Sequence, residues 1–257
     1  MAMTAPDYPS LPDQHLDPAV AEVYDEGHAD RFVDDVIGPT VRVLAELADG
    51  GGAVEFAVGT GRVALPLSEH VNQMYGIDFS EPMLAQLTAK PGADRISVTV
   101  GDMTTTRVCT DAALVYLVFN TIGNLRTQAA QVECFGNAAA HLAPGGRFVI
   151  ETGVPQINRV PVGETIRPFD VSQHHLGFDE YIDPVNQLLV SHHYYIDGDK
   201  ARTLSGAFRY VWPSELDLMA QLAGMELEHR WSDWQRSPFT AESTSHVSVW
   251  RKLAKAN

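Results

Sequence analysis

A glycine-containing stretch, AVEFAVGTGR at residues 53–62, has the residue types and spacing to bind a small ligand through its backbone. A glycine loop after a β-strand lets backbone N–H groups approach a ligand at the N-terminus of the next helix. A dinucleotide fold uses G-x-G-x-x-G to hold a pyrophosphate, but here Ala57 occupies the first glycine position and no third spaced glycine follows Gly61. The loop therefore departs from the dinucleotide pattern, and other residues must identify its ligand.

A histidine-rich stretch, LLVSHHYYI at residues 188–196, could supply a proton acceptor. Side chains alternate between the two faces of a strand, so Ser191 and His193 share the more polar face and His192 lies on the other. An imidazole has an ordinary pKa of about 6.5 and can take a hydroxyl proton near neutral pH. We expect His193, or failing that His192, to act as a base. The alternative is that both histidines are structural and hydrogen-bond across strands.

Two further positions carry side chains that could join such a site. His174 and His175 form a second pair, which we predict in a loop and for which a site role stays open. Glu151 ends the fifth predicted strand, where it could be a base or could orient an acceptor. No carboxylate cluster has the short recurring spacing of a Mg²⁺ site, so no metal ligand is predicted, although Mg²⁺ beside Glu151 remains an alternative.

The elements that position these residues alternate between β-rich and helical runs after residue 52. Such alternation predicts βαβ units and a mainly parallel sheet whose ligands bind at the carboxyl ends of the strands. The predicted strands cover residues 53–58, 71–78, 96–102, 112–119 and 146–152. The predicted helices between them cover residues 61–70, 81–89 and 127–142.

The flanking segments follow different patterns. Two helices, one starting at the Asp17-Pro18 cap and one over residues 33–48, are predicted ahead of the sheet, after an irregular arm over residues 1–18. Turn-forming DPVN and DGD separate three runs that predict an antiparallel meander, and a helix follows with Ser214 as its N-cap and Gly224 as its stop. The meander strands are predicted at 174–182, 187–196 and 201–211, and two closing strands at 225–234 and 245–252.

We therefore divide the chain into four parts. They are an arm and helical lid (1–50), a ligand-binding core (51–153), an antiparallel β insert over the substrate site (154–211), and a helix with strands that complete the core sheet (212–257).

Composition excludes several classes of function. Asp and Glu outnumber Lys and Arg by 33 to 18, and a net charge of −15 repels a nucleic-acid backbone. The two cysteines have no ligand pattern around them, which favours neither a disulfide framework nor a zinc site. The longest apolar run, residues 112–119, is too short to cross a bilayer, and the N-terminus lacks a signal-peptide pattern. We expect a cytoplasmic protein with a small-molecule partner, no nucleic-acid or membrane partner, and a homodimer left open.

The first motif identifies a family. VEFAVGTGR resembles the first motif of class I S-adenosylmethionine-dependent methyltransferases, in which an acidic residue at a strand end precedes a small-x-Gly-x-Gly loop. Their cofactor has no pyrophosphate. The resemblance therefore implies that the loop need only pass close to the methionine part of the cofactor, for which alanine at position 57 is small enough. It also implies an α/β, Rossmann-like sheet, mostly parallel with an antiparallel last strand, together with the helical lid and the β insert. HLAPGGRFVIE is similar to the helix, Pro-Gly-Gly turn and fifth strand typical of the family.

The resemblance also implies how S-adenosyl-L-methionine is held and S-adenosyl-L-homocysteine left as product. Glu55 would hold the cofactor's ammonium end, Gly59 and Gly61 would give room for the backbone, and Asp78 in YGIDFSEPML would accept from both ribose hydroxyls. Tyr24 would cover the cofactor from the first helix, or else pack on the sheet edge. The remaining cofactor contacts implied are Ala57 in the loop, Met83 on the adenine, Asp102 and the Met103 backbone at the adenine amino group, and Asn120 after the fourth strand.

The methyl acceptor is less constrained by the sequence. FNTIGN after the fourth strand is not the Asn/Asp-Pro-Pro-aromatic motif of enzymes that methylate nucleobase amines. The insert resembles the substrate-covering addition of small-molecule enzymes, including those that dimethylate amino sugars. We expect methyl transfer to a hydroxyl of a small polar acceptor, sugar-like or a natural product. The alternatives are an N-methyltransferase of an amino sugar or small amine, and an S-adenosylmethionine-binding protein without catalysis.

Overall fold

The computed structural model describes residues 16–27, 29–197 and 200–254, so most of the predicted N-terminal arm lies outside the described residues. Two helices precede the sheet, as predicted: α1 over Pro18–Gly27 and α2 over Asp34–Ala48. The Asp17 carboxylate caps α1 by accepting from the Ala19 N–H at 2.9 Å. A helix cap followed by proline is a strong local signal, which explains why this start was readable from the sequence.

Five strands and three helices alternate through the next hundred residues. The strands are β1 Gly52–Phe56, β2 Gln73–Asp78, β3 Ile96–Val100, β4 Ala112–Leu117 and β5 Leu142–Gly153. The helices are α3 Ala64–Leu67, α4 Glu81–Thr88 and α5 Gln128–His141. Helix α3 is shorter than the predicted 61–70 because Gly61 has a left-handed φ of 81°, which cannot begin a right-handed helix.

A second sheet follows, with four antiparallel strands in the order β6-β7-β8-β9. They are β6 Ile166–Val171, β7 His175–Asp183, β8 Leu188–Asp197 and β9 Lys200–Arg209. The meander was predicted, but β6 was not, because Pro168 interrupts its alternation. Proline is tolerated there since β6 is an edge strand with an irregular register between Pro168 and Asp170.

The chain closes with α6 Pro213–Leu222, β10 Met225–Trp231 and β11 Ser245–Lys252. The main sheet has the order β10-β11-β5-β4-β1-β2-β3. Strand β11 runs antiparallel to both of its neighbours, and the five strands β5, β4, β1, β2 and β3 run parallel to one another. The order reverses between β1 and β4. In open α/β sheets the ligand crevice lies outside the carboxyl ends of the strands at such a reversal.

Two local predictions were wrong. Ser214 is not the N-cap of α6: the helix starts at Pro213 with Trp212 as its cap and no side-chain cap bond, because the fixed φ of proline suits the first helical position. Pro-Gly-Gly is not a plain turn but lies inside β5, where Ala112–Leu114 of β4 faces the longer segment Leu142–Arg147. Gly145 absorbs the extra length with a left-handed φ of 81°.

The core fills both faces of the main sheet. Helices α2, α3 and α4 pack on one face, with Leu44, Leu67 and Leu87 fully buried. Helices α5 and α6 pack on the other, where Phe135 stacks edge-on to Phe148 and Trp250. Within the described residues no helix combines the length and apolar character that a membrane span requires. The rigid sheet therefore fixes the positions of the loops at its carboxyl edge.

Candidate active site

The loop after β1 is built from left-handed residues. Ala57 has a φ of 52°, Gly59 of 53° and Gly61 of 81°. The Val58 N–H donates to the Ile77 carbonyl at 3.0 Å, and the Gly61 N–H donates to the Val58 carbonyl at 3.0 Å. Position 57 therefore also demands a left-handed backbone conformation, which the sequence analysis did not consider. A left-handed alanine costs roughly 1–2 kcal/mol relative to the right-handed region, so the loop forms with backbone strain where glycine would relieve it.

Glu55, at the end of β1, is almost fully buried at 3% exposure. Its Oε2 accepts from the Tyr116 hydroxyl at 2.8 Å. Burial raises the pKa of Glu55 to about 8, against the Tyr116 hydrogen bond and the Arg62 charge, which both lower it. A cation beside this carboxyl would lower its pKa, because an opposite charge favours the ionised form. The position is thus suited to an ammonium group.

Asp78, at the end of β2, is buried and joined to the loop. Its Oδ2 accepts from the Gly59 N–H at 2.7 Å and its Oδ1 from the Ser80 N–H at 2.8 Å. A carboxylate can accept from several donors at once, which is the chemistry that recognition of a diol requires. Ser80 also caps α4 by accepting from the Met83 N–H at 3.3 Å, and the Met83 side chain is buried.

Asp102 and Met103 follow β3 at the same edge of the sheet. Asp102 is exposed, and its Oδ1 accepts from both the N–H and the hydroxyl of Thr104 at 2.7 Å each. The Met103 side chain is buried, and its carbonyl accepts from Asn137 Nδ2 at 2.7 Å. The parallel register of β1, β2 and β3 brings the three strand-end carboxylates to one edge, as predicted.

Helix α1 is tied down over the loop by contacts that the sequence analysis missed. The Thr60 hydroxyl donates to Asp25 Oδ1 at 2.6 Å, Lys90 forms an ion pair with Asp25, and Lys90 Nζ donates to the Thr60 carbonyl at 2.7 Å. Tyr24 lies beside this cluster, and burial raises the pKa of its hydroxyl. These partners lie between 30 and 35 positions from Thr60 in sequence, so no local pattern could have revealed them.

A cavity of about 650 Å³ lies between α1, the ends of β4 and β5, and one face of the second sheet. Tyr24 and Asn120 line it on the core side, and Ser191 and His193 line it on the insert side. The Asn120 side-chain oxygen accepts from the Gly153 N–H at 2.5 Å and from the Thr152 hydroxyl at 3.1 Å. The cavity has the size of a small-molecule site.

Glu151 supports a strained turn rather than lining this cavity. Phe119 and Asn120 both have a φ of 60°, which is uncommon for residues other than glycine. Glu151 Oε2 accepts from the Phe119 N–H at 3.0 Å, and the Glu151 carbonyl accepts from the Asn120 N–H at 3.2 Å. The carboxylate thus holds the turn that presents Asn120.

The two histidines of β8 point to opposite faces, as the alternation predicts. His193 lies on the cavity face with Leu189 and Ser191. His192 lies on the other face, where its Nδ1 is 2.9 Å from the Ser205 hydroxyl and its Nε2 is 3.3 Å from Glu180 Oε2. The geometry therefore distinguishes the two candidates: only His193 can contact a molecule in the cavity.

The second histidine pair is divided between a turn and a strand. His175 is the first residue of β7 rather than a loop residue, and it pairs with Tyr195 of β8. Its Nε2 lies 3.0 Å from His193 Nδ1. His174 precedes the strand and does not line the cavity. Among the described residues no group of three or more His, Cys, Asp and Glu side chains is arranged to hold a metal ion.

Asp179 is a cavity residue that the sequence analysis did not single out. It lines the same wall as Ser191 and His193. Burial raises the pKa of the Asp179 carboxyl, whereas the hydrogen bond from Ser191 and the nearby Arg167 lower it. In the sequence, a single acidic residue in a β-rich run cannot be distinguished from an acid that faces solvent. The pairing of the strands determines that Asp179 faces the cavity.

Comparisons with known proteins agree with this geometry. A family described as "methyltransferase domain" matches residues 53–146. The CcbJ methyltransferase from Streptomyces caelestis is similar, with 34% identity and a TM-score of 0.80 over 91% of this chain and 96% of that one. S-adenosylmethionine-bound CalS10 from Micromonospora echinaspora, an amino pentose methyltransferase of calicheamicin biosynthesis, has 19% identity and a TM-score of 0.72 over 90% of this chain and 97% of that one. An uncharacterized methyltransferase from Geobacillus kaustophilus is 40% identical over 75 residues, which cover 27% of this chain and about a third (34%) of that relative.

The chain belongs to the class I S-adenosylmethionine-dependent methyltransferases. S-adenosylmethionine is accordingly its cofactor. The strand-end carboxylates, the left-handed loop and the order of the main sheet fit this family.

Proposed function

We propose that the protein transfers the methyl group of S-adenosylmethionine to a hydroxyl of a small polar acceptor, sugar-like or a natural product, in the cavity beside His193. The position of His193 supports this proposal most directly, because it places a proton acceptor on the wall of a cavity of small-molecule size.

The strand-end residues are proposed to hold the cofactor. Glu55 faces the ammonium group, and Asp78 accepts from the ribose hydroxyls. Asp102 accepts from the adenine amino group, and the Met103 backbone lies beside the adenine. Gly59 and Gly61 bring the backbone close to the methionine part of the cofactor, since their left-handed conformations turn the loop over the end of β1. The other contacts proposed are Tyr24, Ala57, Met83 and Asn120.

The protein's own residues then have two tasks. The bound cofactor supplies an electrophilic methyl group on a sulfonium sulfur. The cavity must hold the acceptor oxygen in line with that carbon, and such orientation is worth roughly 7–11 kcal/mol of the barrier. His193 removes the hydroxyl proton, for which a positioned base contributes about 10²–10⁴-fold. Glu151 acts at one remove, by holding the Phe119–Asn120 turn against the cavity.

Transfer to nitrogen is the second candidate, favoured by the similarity to an amino pentose methyltransferase. A protonated amine must lose a proton before it can accept the methyl group. The rate of N-methylation therefore rises with pH as more of the amine becomes neutral. An amine that is already neutral needs no base. N-methylation should therefore persist at high pH when His193 is replaced, whereas O-methylation should not.

The test is transfer of labelled methyl groups to matched acceptor pairs that differ only by a hydroxyl or an amine at one position. We expect labelling of the hydroxyl compound, a loss of about 10²-fold or more in kcat for His193→Gln, and little change for the matched control His192→Gln. Preference for the amine, with activity retained in His193→Gln at high pH, would establish the second candidate. Binding of S-adenosylhomocysteine with no acceptor labelled would favour a cofactor-binding protein without catalysis.

A further inference from the structure

Five polar side chains on the cavity side of the second sheet form one continuous hydrogen-bonded chain, which we call the relay. Asp170 Oδ2 lies 2.7 Å from His175 Nδ1, and His175 Nε2 lies 3.0 Å from His193 Nδ1. His193 Nε2 lies 3.4 Å from the Ser191 hydroxyl, which also hydrogen-bonds to the Asp179 carboxyl. The relay thus joins β6, β7 and β8 and has a carboxyl group at each end.

Aromatic rings cover the two imidazoles of the relay. The Tyr195 ring stacks on His175 with a centroid separation of 4.7 Å, and the Phe169 ring lies 5.3 Å from His193. Gly177, paired with His193, makes room for this arrangement: a Cβ there would lie 2.2 Å from Phe169 Cε2 and 3.0 Å from His175 Cε1. The rings limit water at the two imidazoles, whereas Asp170 remains 44% exposed at the outer end.

Counting protons identifies the tautomers of the two histidines. The relay has four links, and each link needs one proton. Neutral His175, neutral His193 and the Ser191 hydroxyl supply one proton each, so three protons serve four links when both carboxyls are ionised. Two lone pairs then face each other at one link, and of the two links to His193 the one to the Ser191 hydroxyl is the longer, at 3.4 Å against 3.0 Å to His175. The shorter links at 2.7 and 3.0 Å each contain a proton.

We infer that the relay fixes both histidines in the Nδ1–H tautomer, so that His193 Nε2 receives the acceptor's proton and His175, Asp170 and Asp179 act as positioning residues for it. This inference rests on the proposed function only for the identity of the proton donor.

The transfer step balances in atoms and electrons. The acceptor O–H bond breaks, its proton forms an N–H bond at His193 Nε2, and its electron pair forms the new bond to the methyl carbon as the carbon–sulfur pair returns to sulfur. The added proton lies in the link between His193 Nε2 and the Ser191 oxygen, which lacked a proton before the transfer. The Nδ1 proton of His193 can then pass to His175 Nε2, which moves the positive charge next to Asp170 and the solvent. A neutral amine acceptor would instead form the bond to carbon with its nitrogen lone pair and lose its proton after that bond has formed.

Other charged groups also act on the relay. Arg167 lies close to Asp179 and lowers the pKa of its carboxyl, and Arg202 lies over the Tyr195 ring at 5.0 Å. The remaining charged groups that line the cavity are Arg31, Arg126 and Arg209, the last paired with Glu215. The carboxylate nearest to an imidazole of the relay is that of Asp170, whose Oδ2 lies 2.7 Å from His175 Nδ1.

The tautomers can be tested without acceptor or turnover. Long-range ¹H–¹⁵N spectra of histidine-labelled protein, recorded at a pH above which the imidazole signals no longer shift, should show His175 and His193 protonated at Nδ1 and unprotonated at Nε2. Assignment would use His175→Gln and His193→Gln. An Nε2–H tautomer at His193 would overturn the relay even if the enzyme methylated oxygen, so the outcome is independent of the proposed function.

Kinetics of matched carboxylate variants give the second test. Asp170→Asn removes the charge behind His175, and we expect the acidic limb of the kcat profile to move to lower pH and the plateau to fall about tenfold, with KM for the cofactor unchanged. Asp170→Glu should restore most of the activity. Glu180→Gln is the control, because it changes the carboxylate beside His192 on the opposite face. Equal kcat and identical pH profiles for Asp170→Asn, Glu180→Gln and the parent would refute the positioning roles.

Discussion

Replacing Glu55 by glutamine should remove a pH dependence of stability that the buried carboxyl creates. The pKa of this group rises from its ordinary 4.5 to about 8 in the fold, because burial disfavours the charged form. Between these two values the folded protein binds more protons at Glu55 than the unfolded chain does, so the free energy of unfolding falls as pH rises. Glutamine keeps the side-chain volume and an oxygen that accepts from Tyr116, but it does not titrate.

The size of the effect follows from the width of that window. Each pH unit inside it costs about 1.4 kcal/mol, so the interval from pH 5.5 to 7.5 should cost the parent roughly 2–3 kcal/mol through this group. We expect Glu55→Gln to gain that amount on the parent between pH 5.5 and 7.5, to be about 3–4 kcal/mol more stable than the parent at pH 7.5, and to converge with it near pH 4.5. Urea denaturation at half-unit pH steps measures the difference, and other titrating groups cancel because both proteins contain them.

Binding of the cofactor should reverse the proton uptake at Glu55. An ammonium group beside the carboxyl favours its ionised form, so S-adenosylhomocysteine should displace up to one proton per site near pH 6.5. Calorimetry in two buffers of different ionisation enthalpy counts this proton in the parent and should find none from this site in Glu55→Gln. Parallel stability curves for the two proteins, together with equal proton release, would refute the buried-acid reasoning.

Three further substitutions test other parts of the structure. Ala57→Gly should raise the free energy of unfolding by about 1 kcal/mol, because relief of roughly 1–2 kcal/mol of left-handed strain exceeds the entropy glycine adds to the unfolded chain; a loss of stability in urea titrations would contradict the strain. Thr60→Val removes the hydrogen bond to Asp25 and should weaken cofactor binding by about fivefold, since such a bond contributes about 1 kcal/mol; an unchanged calorimetric Kd would show that this bond does not hold α1 in place. Gly177→Ala should lower kcat, and Phe169→Leu in the same chain should restore part of it by making room for the added methyl group; a double variant no better than the single one would argue against that contact.

Most of the cofactor side could be predicted from the sequence because its signals are local. Asp78 and Asp102 follow β-rich runs, and parallel strands necessarily bring their carboxyl ends to one edge. The face of His193 followed from strict alternation in an uninterrupted strand.

The remaining features depend on distant partners or on backbone conformation. Asp25 meets Thr60 from 35 positions away, and Asp170 becomes part of a relay only through the pairing of β6 with β7. The left-handed φ of Ala57 could not be predicted from the sequence, because alanine rarely adopts this conformation. The size of the side chain was therefore the only property on which a prediction at position 57 could rest. Glu151 was chosen as a candidate base because it lies at a strand end. In the structure its carboxylate accepts from the Phe119 N–H and supports a strained turn, a contact that the sequence could not indicate.

A crystal structure of the complex with S-adenosylhomocysteine tests the arrangement most directly. We expect Asp78 to accept from both ribose hydroxyls, Glu55 to face the ammonium group, and the sulfur to point into the cavity that Asn120 and His193 line. An adenosyl group bound away from Asp78, or a sulfur turned away from that cavity, would contradict the proposed site.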